Sequence, residues 1–277
     1  MISPTSIPPS IAFIGGGNMA TALIGGLCRQ GMPGQQIWVV EPQPEQRERL
    51  QSQWGVQTLG AAGSELSGSK LVVWAVKPQI FAQAAEQAGP HVRSALQLSV
   101  AAGIGTETLA RWLGSERIVR AMPNTPALIG RGITGLYART AVSSAERESI
   151  AAVIAPTGPS LWLEREELLD AVTALSGSGP AYVFYFLEAM IEAGIDMGLA
   201  PEQSRQLALA TFGGACALAA DSPESPAVLR ERVTSKGGTT YAALSAMQAA
   251  DMKAHFMAAI RAAQARAHEL GQEFGRH

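Results

Sequence analysis

The apolar run IAFI, residues 11–14, leads directly into the glycine cluster Gly15–Gly17, and an apolar-rich segment then continues to about Gly31. This order predicts a strand, a tight turn and a helix. The apolar runs QIWVVEP, KLVVWAVKP and ALQLSVAAG repeat the strand with helix-like segments between them, and RIVRAMPN and GITGLYAR extend the series to about Ala138. Because strands that alternate with helices form parallel sheets covered on both faces, we expect a doubly wound α/β fold.

The glycine cluster fits the dinucleotide-binding pattern G-x-G-x-x-G/A, with Gly15, Gly17 and Ala20 in the three fixed places and Gly16 as an extra glycine. In such a turn the first glycine allows the bend, the second lets a pyrophosphate approach the helix N-terminus, and the third small residue packs the helix on the strand. A glycine-rich turn without a ligand is the alternative. The strand before the cluster and the helix after it favour a Rossmann-type site for a nicotinamide dinucleotide.

Glu41 ends the second predicted strand, where a carboxylate binds the adenosine ribose 2′-hydroxyl and repels a 2′-phosphate. This position favours NADH. Arg47 and Arg49 follow closely and offer positive charge to the 2′-phosphate of NADPH, although both also suit a solvated helix face. The sequence therefore predicts NADPH or NADH as the cofactor and leaves the choice between them open.

Further cofactor contacts are expected where the third and fourth strands end, because open α/β sheets bind ligands outside the carboxyl ends of their strands. Lys77 can approach the cofactor there, and Ala101 and Ala102 are small enough for the backbone to touch a nicotinamide ring or ribose. Asn124 either turns its amide toward the cleft or belongs to a rigid connector between domains. The predicted cofactor-binding residues are Ile14, Gly15, Gly16, Gly17, Asn18, Met19, Ala20, Glu41, Ala75, Val76, Lys77, Pro78, Val100, Ala101, Ala102 and Asn124.

After Gly158 long alanine-rich segments replace the short strands, so we divide the chain into a dinucleotide-binding domain, residues 1–158, and an all-α domain, residues 159–277. The segment 179–200 is apolar nearly all round, which predicts a helix buried on most sides. A second helix begins at Pro201, a short linker spans 221–233, and a final helix runs from about Met252 to Leu270. So few elements cannot bury this apolar surface alone, and we expect two copies to pack these helices together as a dimer.

Two glycine-rich segments in the second half are more typical of a binding site than of helix packing. LSGSGPAY, residues 175–182, offers free backbone amides and hydroxyls for a substrate carboxylate, with Ser178 as a simple helix cap in the alternative interpretation. TSKGGTT, residues 234–240, places a second group of amides just before another helical segment. We expect the two helix starts to converge on one small carboxylate.

The composition excludes several classes of function. Lys and Arg number 21 and Asp and Glu 23, for a net charge of −2, so no strong field is present to hold nucleic acid or an anionic membrane surface. The two cysteines and four histidines lack the spacing of a metal site, so we expect no metal and two reduced core thiols, Cys28 and Cys216. Residues 1–10 lack the features of a signal peptide, and no apolar run is long enough to span a bilayer, which predicts a loose leader and a cytoplasmic protein.

The motifs IGGGNMA, AVKPQ, SVAAG, RAMPNTPA, ALSGSGPAYVF and SKGGTT occur in this order, and together they resemble the pyrroline-5-carboxylate reductases over nearly the whole chain. The resemblance implies a Rossmann domain joined to an all-α dimerisation domain. It also implies hydride transfer from NADH or NADPH to the C=N bond of 1-pyrroline-5-carboxylate, which gives L-proline in the last step of proline biosynthesis. In quaternary structure it implies a homodimer, with further assembly into a decamer in many members.

The same resemblance implies roles for individual residues. Thr240 would be the catalytic hydroxyl that faces the imine nitrogen. Glu166 and Glu231 occupy positions where the family places acids near the substrate, although several members have aspartate at Glu231 and many have proline at Lys236. The substrate-binding residues implied are Glu166, Ser176, Gly177, Ser178, Gly179, Pro180, Glu231, Gly237, Gly238, Thr239 and Thr240.

Two other functions are compatible with the sequence. A two-domain hydroxyacid dehydrogenase needs a lysine or histidine beside the hydride acceptor, and Lys236 is the one residue of the glycine-rich segments that could serve. A binding protein that senses the nucleotide and performs no chemistry would keep the same glycine pattern.

Overall fold

The computed structural model describes residues 7–275, and the chain forms two compact units. The first unit comprises the chain up to Ser178 together with the end of the chain from Ala263, and the second comprises Gly179–Ala262. The predicted leader falls largely on residues 1–6, which lie outside the described residues.

An eight-stranded sheet, counted over residues 7–275, forms the centre of the first unit. Its strands are β1 (Ile11–Ile14), β2 (Ile37–Val40), β3 (Gln57–Leu59), β4 (Leu71–Trp74), β5 (Leu96–Ser99), β6 (Ile118–Met122), β7 (Thr134–Ala138) and β8 (Ser160–Trp162). The order across the sheet is β3-β2-β1-β4-β5-β6-β7-β8. All neighbours are parallel except β6 and β7, which are antiparallel. The predicted doubly wound α/β fold is confirmed.

Helices connect the strands and make up the second unit. The first unit contains α1 (Asn18–Arg29), α2 (Pro44–Trp54), α3 (Pro78–Val92), α4 (Thr106–Leu113), α5 (Ser144–Ile154) and α6 (Leu168–Val172). The second contains α7 (Gly179–Asp196), α8 (Pro201–Asp221), α9 (Pro226–Arg232) and α10 (Thr239–Ala249), and α11 (Met252–Gly275) begins in the second unit and ends in the first. Helices α2, α3, α8 and α9 begin with proline, whose fixed φ suits the first helical position and whose missing N–H leaves no donor unpaired.

Strand residues alternate between two apolar layers, one on each face of the sheet. Ile11 and Phe13 of β1 belong to the layer that contains residues of α1 and α5, while Ala12 and Ile14 belong to the layer that contains residues of α3 and α4. All four are buried. Burial on both faces explains why β1 and β4 appear in the sequence as continuous apolar runs.

The sheet differs from the prediction in three strands. The edge strand β3 was not predicted, because Gln57–Leu59 is short, half-buried and largely polar. The strand β7 is antiparallel, since the connection from β6 contains no crossover helix of the length that a parallel pair requires. The strand β8 follows residue 158 and pairs with β7, so the sheet continues beyond the predicted domain boundary.

The second unit leaves much of its apolar surface exposed. On α7 the side chains of Phe184 and Tyr185 are 63% and 70% exposed, and Gly194 is the buried residue of this helix. Within one copy, α7 is therefore not buried on most sides as predicted. Its close contact with α8 lies at Gly194, where an added Cβ would stand 2.1 Å from the Ser204 Oγ.

Three further predictions were wrong in detail, two about the second half of the chain and one about the two cysteines. The predicted linker 221–233 contains the helix α9, whose start is capped by Ser225, which accepts a hydrogen bond from the Val228 amide at 3.4 Å. The last helix extends past Leu270 to Gly275. Cys216 is exposed on α8 and Cys28 is only half-buried, so neither is a fully buried core thiol.

None of the helices in residues 7–275 combines the length and apolar content that crossing a bilayer requires. In the same part of the chain, no cluster of three or more histidine, cysteine, aspartate or glutamate side chains is placed to hold a metal ion.

Candidate active site

The turn between β1 and α1 requires glycine at its first position. Gly15 has φ +99°, and its amide donates to the Val40 carbonyl at 2.8 Å. A Cβ at this position would lie 2.6 Å from the Ala75 carbonyl oxygen. Both the left-handed backbone and the neighbouring strand therefore exclude a side chain.

Gly16 ties this turn to the end of β2. Its amide donates to Glu41 Oε2 at 2.9 Å, and Glu41 Oε1 accepts from the Gln43 amide at 3.0 Å. An added Cβ on Gly16 would lie 2.9 Å from Leu50 Cδ1. The two backbone donors hold the Glu41 carboxylate in one place, where each oxygen keeps accepting capacity for a ligand hydroxyl.

Gly17 is the N-cap residue of α1, and no side chain caps this helix. No atom lies within 4 Å of the position that a Gly17 Cβ would occupy. The start of α1 therefore has open space beside it, and the unpaired N–H groups and the dipole of a helix start favour an anion. A pyrophosphate fits this position.

A cavity of about 790 Å³ opens beside the turn, within the range usual for small-molecule sites. Eight of the predicted cofactor residues line it: Ile14, Gly15, Gly17, Asn18, Glu41, Ala75, Val76 and Lys77. Sequence reasoning missed other lining residues, among them Gln43, Gln46, Gly60, Ala61 and Ala62. Gln43 and Gln46 adjoin Glu41 in sequence, whereas residues 60–62 follow the unpredicted strand β3.

The other predicted cofactor residues lie behind the cavity wall or along the same edge of the sheet. Ala20 is fully buried under the turn, and Pro78 begins α3. Val100, Ala101 and Ala102 follow β5, and Asn124 follows β6. The cavity lining does not include these positions, nor Gly16 and Met19.

Arg47 lies at the Glu41 end of the cavity. Its Nη1 donates to the carbonyls of Glu41 at 2.8 Å and Pro42 at 2.7 Å. The guanidinium is therefore fixed beside the end of β2, while Arg49 is exposed on α2.

Glu166 caps α4 from a distant part of the chain. Its Oε1 accepts from the Thr106 amide at 2.6 Å and from Arg120 Nη1 at 2.9 Å, and its Oε2 accepts from the Thr106 hydroxyl. Arg120 is 7% exposed, so this ion pair is largely shielded from water. The carboxylate also lies at the positive end of the α4 dipole, which stabilises its charge. Sequence reasoning missed Arg120, since a buried arginine within a strand shows no pattern by itself.

Asn124 and Ser176 are brought together although they are distant in sequence. Asn124 Nδ2 donates to the Ser176 Oγ at 3.2 Å, and Asn124 Oδ1 accepts from the Ile133 amide at 3.0 Å. A Cβ on Gly177 would lie 2.5 Å from Met122 Cε, so the glycine allows this segment to approach β6. Asn124, a predicted cofactor-binding residue, is thus hydrogen-bonded to Ser176, a predicted substrate-binding residue.

The segment around Ser178 is helical rather than an open loop. Residues Thr173–Gly177 form a π-helical turn between α6 and α7, and the Ser178 amide donates to the Thr173 carbonyl at 2.8 Å. The Ser178 amide is therefore not the free donor that the sequence predicts, and Ser178 does not cap a new helix. Short π-helical turns recur at functional sites.

The TSKGGTT segment is described within the second unit. Gly237 has φ +76°, Gly238 is the N-cap residue of α10 without a side-chain cap, and Thr239 and Thr240 form the first turn of α10. The Thr240 side chain is half-buried, whereas Thr239 and Glu231 are exposed. The start of α10 therefore has uncapped amides, as an anion site requires.

A doubly wound sheet with a cavity beside its glycine-rich turn is typical of dinucleotide-binding oxidoreductases, and the chain belongs to this class. Residues 10–103 match the family model described as NADP oxidoreductase coenzyme F420-dependent, and residues 166–270 match the model described as pyrroline-5-carboxylate reductase dimerisation.

Similar proteins point to the same family. A pyrroline-5-carboxylate reductase from Pseudomonas aeruginosa is 43% identical over 96% of this chain and 98% of its own length. The structure of a pyrroline-5-carboxylate reductase from Coxiella burnetii has a TM-score of 0.88 at 34% identity, covering 95% of this chain and 98% of that one. Pyrroline carboxylate reductase from Plasmodium falciparum, solved with NADP bound, has a TM-score of 0.84 at 28% identity, covering 95% and 98%. The chain belongs to the pyrroline-5-carboxylate reductase family, which confirms the resemblance seen in its motifs.

Proposed function

We propose that this chain reduces the C=N bond of 1-pyrroline-5-carboxylate to give L-proline. One observation carries the proposal in a chain of this family: the uncapped start of α1 at Gly17 adjoins a cavity that the Glu41 carboxylate, held by the Gly16 amide, also lines. NADH or NADPH, when bound, supplies a hydride to the imine carbon, and the nitrogen gains a proton. The residues described above can bind the pyrophosphate and the adenosine ribose of this cofactor.

The choice of cofactor belongs to the same proposal. The fixed Glu41 carboxylate suits a ribose 2′-hydroxyl, which favours NADH. Arg47 keeps further donors for a 2′-phosphate, and the P. falciparum relative was solved with NADP, which supports NADPH as the alternative. Comparison of kcat/KM for the two dinucleotides distinguishes them.

The substrate carboxylate is proposed to bind at the two glycine-rich segments. The start of α10, which no side chain caps, supports this role, as does the Ser176 hydroxyl, which accepts a hydrogen bond from Asn124. Glu231 and the remaining residues of Ser176–Pro180 stay predictions. Glu166 stays one as well, with its carboxylate already engaged by Thr106 and Arg120.

Thr240 is proposed as the hydroxyl that hydrogen-bonds the imine nitrogen. A threonine hydroxyl does not ionise near neutral pH, so it orients and polarises the C=N bond while the proton comes from the iminium or from water. Thr240→Ala is expected to lower kcat by about 10–100-fold without abolishing turnover, and Thr240→Ser should restore most of it. Wild-type turnover in Thr240→Ala would remove this residue from the mechanism.

The assay that tests the proposal follows oxidation of NADH or NADPH with pyrroline-5-carboxylate and, in parallel, with a panel of 2-keto acids. Imine reduction alone supports the proposal. Reduction of the keto acids alone would indicate a hydroxyacid dehydrogenase that uses Lys236. Dinucleotide binding without any turnover would indicate a sensing protein.

We also propose that the chain forms a homodimer through the second unit and that it is located in the cytoplasm. Residues 1–158 are proposed to bind the dinucleotide, and residues 159–277 to bind the substrate and form the dimer. The exposed apolar surface of α7 and α8 supports the dimer, and the match to a dimerisation model supports it independently. A decamer is the larger assembly to test by light scattering. Cell fractionation tests the location, which suits a reaction that consumes a reduced dinucleotide.

A further inference from the structure

The loop that joins β5 to α4, residues 100–105, lies where the nicotinamide end of the cofactor is expected. Glu41 at the end of β2 marks the adenosine end of the cavity, and β1, β4 and β5 follow β2 in that order across the sheet. An extended dinucleotide that crosses the Gly17 amides therefore runs past β4 toward this loop. This step rests on the proposed function.

The end of α11 packs against this loop. Gly103 has φ +79°, and a Cβ at Gly103 would lie 3.2 Å from Phe274 Cδ2 and 3.5 Å from Leu270 Cβ. From the α11 side, a Cβ on Gly271 would lie 3.5 Å from the Gly103 carbonyl oxygen. Phe274 also packs against the buried apolar layer that contains Ile104.

Hydrogen bonds fix the two ends of the same loop. The Val100 amide donates to the Trp74 carbonyl at 3.1 Å, and the Thr106 amide donates to Glu166 at 2.6 Å. Between these ends the Ala101 amide donates to the Ser99 Oγ at 3.3 Å and the Ile104 side chain is buried, while Gly103 lies beside the Phe274 ring. Loss of this aromatic ring would remove the packing beside Gly103 and loosen the loop at that residue, while leaving both hydrogen-bonded ends in place.

We propose that Phe274 is a positioning residue for the nicotinamide half of the cofactor. Its ring packs beside Gly103 and fixes the position of the loop 100–105 relative to the sheet. Through the loop, the ring fixes the distance between Ala101 or Ala102 and the nicotinamide-ribose. The residue does not touch the adenosine half, which binds at Gly17 and Glu41. The last turns of α11, at the C-terminal end of the described residues, thereby help to position the loop at the cofactor site.

The test compares two ligands on Phe274→Ala: the preferred reduced dinucleotide, and the matching ADP-ribose compound that lacks nicotinamide. We expect the variant to bind the dinucleotide several-fold more weakly and to bind the ADP-ribose compound as the wild type does. With pyrroline-5-carboxylate, kcat/KM should fall by about tenfold or more, since a small misplacement of a reactant is costly. Dinucleotide affinity is read by fluorescence, and the ADP-ribose compound by competition.

Three further variants sharpen the test. Glu273→Ala changes an exposed neighbour on the same helix and should leave both affinities unchanged, and Phe274→Leu should restore most of the dinucleotide affinity. Gly103→Ala perturbs the same contact from the loop side and should repeat the selective loss, which covers the case in which Phe274→Ala folds poorly.

The proposal is overturned if Phe274→Ala binds the dinucleotide like the wild type, or if both ligands lose affinity equally. Failure of the proposed function gives a different result. In that case the wild-type protein would not reduce the imine, whether or not Phe274→Ala loses affinity for the dinucleotide alone.

Discussion

Three neighbouring glycines have different physical reasons to be glycine. Gly15 needs a left-handed backbone, Gly16 lies against Leu50 and Glu41, and Gly17 adjoins empty space. A sequence pattern treats them as one motif, whereas the structure separates a glycine that the backbone requires from a glycine beside which there is room for a ligand.

Substitution by alanine should separate these roles. Gly15→Ala is expected to lower the free energy of unfolding by about 2–4 kcal/mol, since it combines backbone strain with a clash at the Ala75 carbonyl. Gly17→Ala should leave stability nearly unchanged and weaken dinucleotide binding, because its methyl group occupies the place of the pyrophosphate. Denaturant unfolding and cofactor titration measure the two effects. Equal destabilisation by both substitutions would contradict this assignment.

Glu41 provides a second prediction at this scale. Glu41→Gln replaces one carboxylate oxygen with an NH₂ group that faces either the Gly16 or the Gln43 amide, so we expect a loss of about 1–3 kcal/mol in stability. Removal of the negative charge should also improve kcat/KM for NADPH relative to NADH. Glu45→Gln, which changes an exposed acid of α2, is the matched control. An unchanged cofactor ratio would show that Glu41 does not select between the dinucleotides.

At the scale of the element, one side chain, Glu146, links the start of α5 to Arg117, the residue before β6. Ser143 caps α5 and exchanges hydrogen bonds with Glu146, and Arg117 pairs with the same Glu146 carboxylate. Partial burial raises the pKa of Glu146, but the hydrogen bonds from the Ser143 amide and from Arg117 outweigh it, so its pKa lies below the usual value.

A lowered carboxyl pKa contributes stability above the unfolded-state pKa, and this contribution is lost as the pH falls through the folded-state pKa. Glu146→Gln should therefore cost about 0.5–1 kcal/mol at pH 7, and the difference from wild type should shrink below about pH 4.3. Urea unfolding across this pH range, at one protein concentration, measures it. Glu148→Gln on the same helix is the control. A cost that persists in acid would mean that lost packing, rather than charge, explains it.

The strands and helices that the sequence predicted are those whose burial leaves a simple pattern. β1 and β4 are buried on both faces and appear as unbroken apolar runs. β3 lies at the sheet edge and is half polar, and α9 begins after a serine- and proline-rich stretch that resembles a linker. Burial between two layers is visible in a sequence, while edge pairing and helix capping depend on neighbours that the sequence does not reveal.

The same distinction applies to the site. The glycine turn and Glu41 were predictable because the positions in this motif have fixed local roles. The lining at residues 60–62 and the ion pair of Arg120 with Glu166 were not, because the fold brings them there from distant parts of the chain.

At the scale of the whole molecule, the two units differ in how completely they bury their apolar residues. The first has apolar layers on both faces of its sheet, whereas the second exposes large side chains along α7 and α8. Phe184→Glu should therefore weaken the proposed dimer and shift the mass in light scattering toward one chain. Ile129→Glu, which alters an exposed apolar residue of the first unit, should leave the mass unchanged. A dimeric mass in Phe184→Glu would place the interface elsewhere.

The reversed strand β7 has a consequence for how this architecture tolerates variation. Because β7 is antiparallel to β6, the connection between them leaves and re-enters the sheet at the same edge. The hydrogen bond from the Ile133 amide to Asn124 Oδ1 joins the two ends of this connection. Residues 128–131 form the exposed tip of this excursion. Extra residues inserted there would lengthen the β6–β7 connection without shifting strand register, so this tip is where an engineer could append a new recognition element.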